Sequence, residues 1–168
     1  ALNEISSIIT QSLEMEQILG HAMEKIADVM KVEVVLIFLV NHRSDELELL
    51  AHRGVSQGFV AAMEGLKVGE GFNGGVAASG KAMVVEDTSH DPRSSSEAMR
   101  GEGLYTQLIV PLRCKDIIIG TLCVAGRQPR QFQPEEIELL TTIGNAIGIA
   151  IENARLYGEQ KRIAAELQ

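Results

Sequence analysis

Two cysteines in 168 residues are too few for a disulfide framework. Cys114 and Cys123 lie at or within apolar runs, 106–113 and 117–125, that read as a hairpin turning near Lys115 and Asp116. In that register Cys123 faces about Leu108, roughly 20 Å along the strand from Cys114 and far beyond bridging distance. Reduced thiols in a cytoplasmic setting are the expectation. Basic residues are also short, 15 Lys and Arg against 23 Asp and Glu, which leaves a net charge of -8 and a pI near 5.0. That excludes a general nucleic-acid backbone binder, which needs a basic face to displace counterions. Long apolar runs are missing too. The longest unbroken aliphatic or aromatic stretch, 34–40, is of strand length, against about 20 residues for a membrane span. Ala1, Leu2, Asn3 and Glu4 do not open a secretory signal, which begins with a basic region and continues with an apolar one. A start without Met and a helical pattern still running at Gln168 make a module cut from a longer protein the expectation.

What remains is ordinary globular material. The chain is 45% apolar and 23% charged, enough for one domain that hides about 70% of the surface of its unfolded chain. Apolar residues recur at helical steps through Ile5, Ile8, Ile9 and Leu13, then through Ile18, Leu19, Ala22, Ile26, Val29 and Met30. This predicts two helices with a bend near Ser12 or Leu13. Strands are expected at 32–41, 47–53 and 82–86, with the hairpin strands after them. A short helix is expected within 54–65 and another at 76–79. Pairing Asn41 with Leu47 sets His52 opposite Leu36. The segment 87–103 is polar, with Pro92 and three consecutive serines, and reads as a long loop. From Pro134 the pattern is helical to the end, with Glu135 and Glu136 suited to a helix start. Ile137, Leu139, Leu140, Ile143, Ile147, Ile149 and Ile151 make its first half apolar on several sides. Only Leu156, Ile163 and Leu167 continue the apolar pattern among charged residues, as in a helix that leaves the domain for a partner helix. The fold class expected from this order is α+β, with an antiparallel sheet covered by helices.

Chemical motifs are few. Gly69-Glu70-Gly71-Phe72-Asn73-Gly74 spells G-x-G-x-x-G, but no full strand precedes it and the helix after it is short, so a glycine turn seating a helix is the better reading than a dinucleotide site. His42 and His52 stand about 20 Å apart on one hairpin by strand rise, and His21 sits on an amphipathic helix. Glu86 and Asp87 are adjacent and point to opposite sides of a strand. His90 and Asp91 form the one tight cluster of polar groups, with turn capping by Asp91 and Pro92 as the plain alternative. Tyr105 and Gln107 interrupt an apolar strand on one face, either toward a ligand or at a solvent edge.

Taken in order, these pieces resemble a GAF domain, the small-molecule-sensing module of bacterial signalling proteins and cyclic-nucleotide phosphodiesterases. Leu2-Asn3-Glu4-Ile5 is similar to the family's opening helix, Val68-Gly69-Glu70-Gly71-Phe72 with Gly74 to its glycine turn, and Val84-Val85-Glu86-Asp87 to its third strand. Asp91-Pro92-Arg93 matches the start of its variable loop. Val110-Pro111-Leu112 and Ile119-Gly120-Thr121-Leu122 resemble its last hairpin, Phe132 with Glu135 and Glu136 the start of its last helix, and Ala150-Ile151-Glu152-Asn153-Ala154-Arg155-Leu156-Tyr157 its ending.

The resemblance implies a single domain over 1–168: helices in 1–30, sheet and pocket in 32–126, and a C-terminal helix in 134–168 leading to an output domain. It implies an antiparallel sheet of about five to six strands with the terminal helices on one face. On the other face a roof of short helix and loop covers a pocket. The implied role is regulatory and non-catalytic, in a cytoplasmic bacterial signalling protein such as a phosphatase or histidine kinase. The implied partners are a small-molecule ligand and a second copy bound through the terminal helices, with neither nucleic acid nor membrane. Ligand contacts are expected from Phe72, Asp87, His90, Asp91, Tyr105 and Gln107, and neither a metal nor a named cofactor is implied. The cyclic-nucleotide signature has no counterpart here, and neither cysteine fits bilin attachment. Two rivals stand beside the sensor: a purely structural dimerisation unit, and a thiol enzyme similar to free methionine sulfoxide reductase, which needs a second thiol within reach.

Overall fold

The structure is a computed structural model that describes the backbone of residues 2–88 and 100–166, and the side chains among them except those of 2–13, 158–162 and 165. Helix α1 runs over Leu2–Met30 as one rod, not as two helices bent near Ser12. Loss of phase in the apolar pattern suggested a break, but no proline interrupts these residues, and helices tolerate a polar turn that removes no backbone hydrogen bond. The rod stops where Lys31 turns left-handed at φ 56° and Val32 N–H reaches back to the Ala27 carbonyl at 3.2 Å, the bonding of a Schellman stop.

Strands β1 (Val34–Asn41) and β2 (Glu46–Arg53) come next, then α2 (Gln57–Ala62), β3 (Leu66–Lys67), α3 (Gly71–Ser79), β4 (Met83–Val85), β5 (Thr106–Cys114), β6 (Ile117–Gly126) and α4 (Pro134–Glu166). The six strands form one antiparallel sheet in the order β3-β2-β1-β6-β5-β4. The glycine turn is preceded by only two residues of strand, paired antiparallel with β2, so it belongs to no βαβ unit. A Cβ on Gly74 would collide with the Lys67 carbonyl oxygen, which is why that turn needs glycine there.

Both hairpins carry a one-residue slip. His52 does face Leu36, but Asn41 pairs with Glu46 and not with Leu47, because the register shifts between Ile37 and Phe38. Cys114 pairs with Ile117 beside the expected turn, whereas Cys123 pairs with Ile109 and not Leu108, because the register shifts again between Leu112 and Arg113. Bulges of this kind insert one residue, bend the strand and reverse the facing of the residues beyond them.

Alternation along the strands divides the core in two. Val35, Ile37, Leu108, Val110, Leu112, Leu122 and Val124 pack under α1 and α4, against Leu19, Met23, Ile26, Met30, Leu140, Ile147 and Ile151. Val34, Leu36, Phe38, Ile109, Cys123 and Ala125 face the other way, toward Phe59 and Met63 of α2 and Phe72, Val76 and Ala77 of α3. Full burial of a side chain such as Phe38 or Leu36 contributes about 1.5–3 kcal/mol. The sheet is therefore a wall between two layers: terminal helices behind it, short helices and loops in front.

Candidate functional site

The front layer holds the polar chemistry. Beneath α3 four polar side chains lie fully enclosed: Asn73 on the helix, Gln107 on β5, and Thr121 and Cys123 on β6. Alternation brings Thr121 and Cys123 to the same face of β6, and β5 sets Gln107 beside them through the pairing of Ile109 with Cys123. The Thr121 hydroxyl donates to Asn73 Oδ1 at 3.1 Å. The Cys123 thiol donates to Gln107 Oε1 at 3.5 Å. Burial pushes this thiol up to about 12, and the nearby Asn73 amide offsets only part of that. Apart from that weak contact with the Cys123 sulfur, the Asn73 amide nitrogen has no hydrogen-bond partner among the described residues. Leaving such a donor unsatisfied in an apolar core costs about 1–3 kcal/mol.

A second polar pair lies where β4 ends and β5 begins. The Tyr105 hydroxyl donates to Asp87 Oδ2 at 3.0 Å, and the Thr88 N–H donates to the Tyr105 carbonyl at 2.8 Å. The acidic partner and partial burial both raise the Tyr105 phenol above its ordinary 10.0.

Of the six residues expected at a ligand site, the structure thus joins Asp87 to Tyr105 by a hydrogen bond. It encloses Gln107 with Cys123 inside the front core and sets Phe72 in that same core, next to Asn73 in the chain. Gln107 is no solvent-edge residue, since β5 lies between β6 and β4 and the side chain is fully covered. His90 and Asp91 lie outside the described residues. Sequence reasoning missed Asn73, Thr121 and Cys123. Their signal was available: one amide inside a glycine run, and one hydroxyl in an otherwise apolar strand, spaced by two from a cysteine. Among the described residues no group of three or more His, Cys, Asp or Glu is placed to hold a metal ion. No helix among them is long and apolar enough to cross a membrane.

A sheet of six antiparallel strands, backed by both terminal helices and fronted by short helices over buried polar groups, defines an α+β sensor-type fold. The chain belongs to the GAF domain family, whose sequence profile matches residues 14–151. A Nif-specific regulatory protein of Herbaspirillum seropedicae is 27% identical over 180 residues, covering 98% of this chain and 33% of that protein. The circadian input-output histidine kinase CikA of Thermosynechococcus vestitus is 28% identical over 181 residues, covering 99% of this chain and 25% of that protein. In three dimensions the chain is similar to the GAF domain of a phosphoenolpyruvate-protein phosphotransferase from Coxiella burnetii, with a TM-score of 0.78, 21% identity, and coverage of 94% of this chain and 98% of the other. The chain spans a third or less of the length of the two curated relatives, one a regulatory protein and the other a histidine kinase.

Proposed function

We propose that this chain is the ligand-sensing and dimerising regulatory module of a bacterial, cytoplasmic signal-transduction protein, and that it has no catalytic role of its own. The observation that carries the reading is the unpartnered amide of Asn73, enclosed between α3 and the sheet with Thr121, Cys123 and Gln107. An acceptor oxygen on a small molecule, a carbonyl or carboxylate, would satisfy that donor. Apolar sites with a few oriented polar groups are the usual form of small-molecule pockets. Phe72 supplies apolar wall, Gln107 a second amide, and Asp87 with Tyr105 the rim. His90 and Asp91, expected at the site from the sequence, complete the proposed contact set.

Occupancy would be passed to α1 and α4, and through α4 to an output domain in the longer parent protein. The two relatives support as that parent either a regulatory protein of the Nif-specific kind or the histidine kinase first expected, while neither is the phosphatase also expected. Dimerisation is supported by α4. Leu139, Ile149, Leu156 and Ile163 are 40%, 51%, 42% and 47% exposed. With Thr142, Ala146 and Asn153 they keep the alternating three- and four-residue steps of a coiled-coil seam as far as Leu156, and Ile163 falls one heptad further on; a single Asn in such a seam selects a paired register.

The test is native mass spectrometry of the 168-residue chain against a panel of small carboxylic acids and their amides, repeated with Asn73→Ala. Binding that Asn73→Ala weakens at least tenfold, with new hydrogen-exchange protection over 87–103, supports the reading; about 1.4 kcal/mol corresponds to that factor. A dimer that binds nothing in the panel would leave the purely structural module in its place.

A further inference from the structure

Helices α3 and α4 lie on opposite faces of the sheet, and at Arg113 the chain reaches both. Arg113 is near the end of β5, one residue beyond the register slip at which Leu112 pairs with Gly120 but Arg113 pairs with Ile118. Its side chain runs to the front, where Nη2 donates to the carbonyl of Gly80, the residue that closes α3 in a left-handed conformation at φ 71°. A Cβ on Gly80 would stand 2.7 Å from Arg113 Nη2 and 2.8 Å from Ile118 Cδ1, so the end of α3 is seated directly on the bulge.

The main chain of Arg113 faces the back. A Cβ on Gly148 of α4 would lie 2.6 Å from the Arg113 carbonyl oxygen and 3.1 Å from its nitrogen. One turn earlier, a Cβ on Gly144 would lie 3.1 Å from Val110 Cγ2 and 3.5 Å from the Pro111 carbonyl oxygen. Residues four apart share a helix face, so these glycines make a flat strip that lets α4 rest on the backbone of β5. The close-packed contact at the back has little slack and passes a small shift onward; at the front the link is the exposed Arg113 side chain, tied to α3 by its hydrogen bond to the Gly80 carbonyl. The bulge supplies the freedom: a strand can change its twist at an inserted residue without losing the rest of its ladder.

We propose that Arg113 is the positioning residue that couples α3 to α4, carrying a displacement of the front helix through the sheet to Gly148. The proposal rests on the sensor reading only in taking α3 as the part a ligand would move.

The experiment is a two-by-two cycle on the 168-residue chain, read by hydrogen exchange without any ligand. Val76→Ala, in the buried face of α3, supplies the displacement and Arg113→Ala removes the link. Exchange at residues 144–151 is compared with that at 34–38, which reports global opening. In the natural background Val76→Ala should raise exchange at 144–151 about fivefold more than at 34–38, the lower end of ordinary coupling between sites. In the Arg113→Ala background that excess should vanish, and Arg113→Lys, which keeps a donor, should restore part of it. Val76→Thr replaces Val76→Ala if the cavity proves too costly for folding. An excess of equal size in both backgrounds, or no excess in the natural one, overturns the proposal. The assay is independent of ligand binding, so a chain that binds nothing can pass it and a chain that binds a ligand can fail it.

Discussion

Glu102 Oε2 lies 3.2 Å from Arg127 Nη2 and also accepts from the Ser56 N–H, while its Oε1 accepts from the Ser56 hydroxyl. Ser56 is the N-cap of α2, its oxygen accepting from Phe59 N–H at 3.1 Å. Arg127 also donates to the Gly54 carbonyl at 2.8 Å and meets Glu33 at 3.3 Å. One guanidinium thus clasps the chain entering β5 to the turn after β2 and to the approach to β1.

Removing the cap should loosen this clasp and α2 together. Ser56→Ala is expected to cost about 1 kcal/mol, within the usual range for an N-cap, read as a lower urea midpoint at unchanged slope. Arg127→Lys should cost less than Arg127→Ala, since a lysine keeps the charge but cannot reach all four acceptors of Arg127, the three above and the Glu102 carbonyl.

Acid should unfold the chain through the same carboxylates. Glu102 is held below its ordinary 4.5 chiefly by the Ser56 hydroxyl. Glu136 is held low chiefly by the Gln133 N–H at the start of α4, and Glu152 chiefly by Arg155. Groups whose folded pKa is depressed add stability that is complete above the unfolded value and is lost as pH falls through the folded one. The urea midpoint should therefore be flat from neutral pH down to about 5 and should drop below 4.5. Glu102→Gln should lower the midpoint at neutral pH and flatten the acid limb.

The thiols should differ sharply. Cys114 is half-buried beside the hairpin turn, whereas Cys123 is enclosed and pushed up to about 12 by burial. Since the thiolate is the reactive form, a chromogenic disulfide reagent should titrate one thiol per native chain and two in urea. Cys114→Ser should abolish the native signal. Comparable native rates at both thiols would contradict the placement of Cys123 beneath α3.

Association should depend on the free part of α4. Leu156→Asp with Ile163→Asp alters two exposed side chains, so the fold should survive while sedimentation shifts from dimer to monomer. A chain that sediments as a monomer at high micromolar concentration without these changes removes the dimer from the proposed function.

The sequence carries most of the fold because alternation and helical spacing act locally. The hairpins β1–β2 and β5–β6 and the long helix from Pro134 need only neighbours close in the chain, whereas the β1–β6 and β4–β5 pairings that complete the sheet join distant segments. Register was legible on only one side of each bulge: in the first hairpin the expected pairing holds at His52 with Leu36 and fails at the turn, where Asn41 meets Glu46. Near Lys115 the pairing of Cys114 with Ile117 comes from turn geometry, but beyond Leu112 the inserted residue moves Cys123 from Leu108 to Ile109. The candidate site was less legible for the same reason. Asn73, Thr121 and Gln107 come from a helix and two strands, and only the tertiary fold brings them to one enclosed point.

Gly148 also fixes a mechanical ratio. From Gly148 to Glu166 the helix continues for 18 residues, about 27 Å at 1.5 Å per residue, and Ile151 is the last buried side chain among those described. Pivoting on the β5 backbone, this overhang magnifies what happens at its fulcrum: a tilt of about 5° there sweeps the far end through about 2 Å, given that rise. A rearrangement at the sheet too small to disturb its packing would thus arrive at the tip as a movement the size of a side-chain contact.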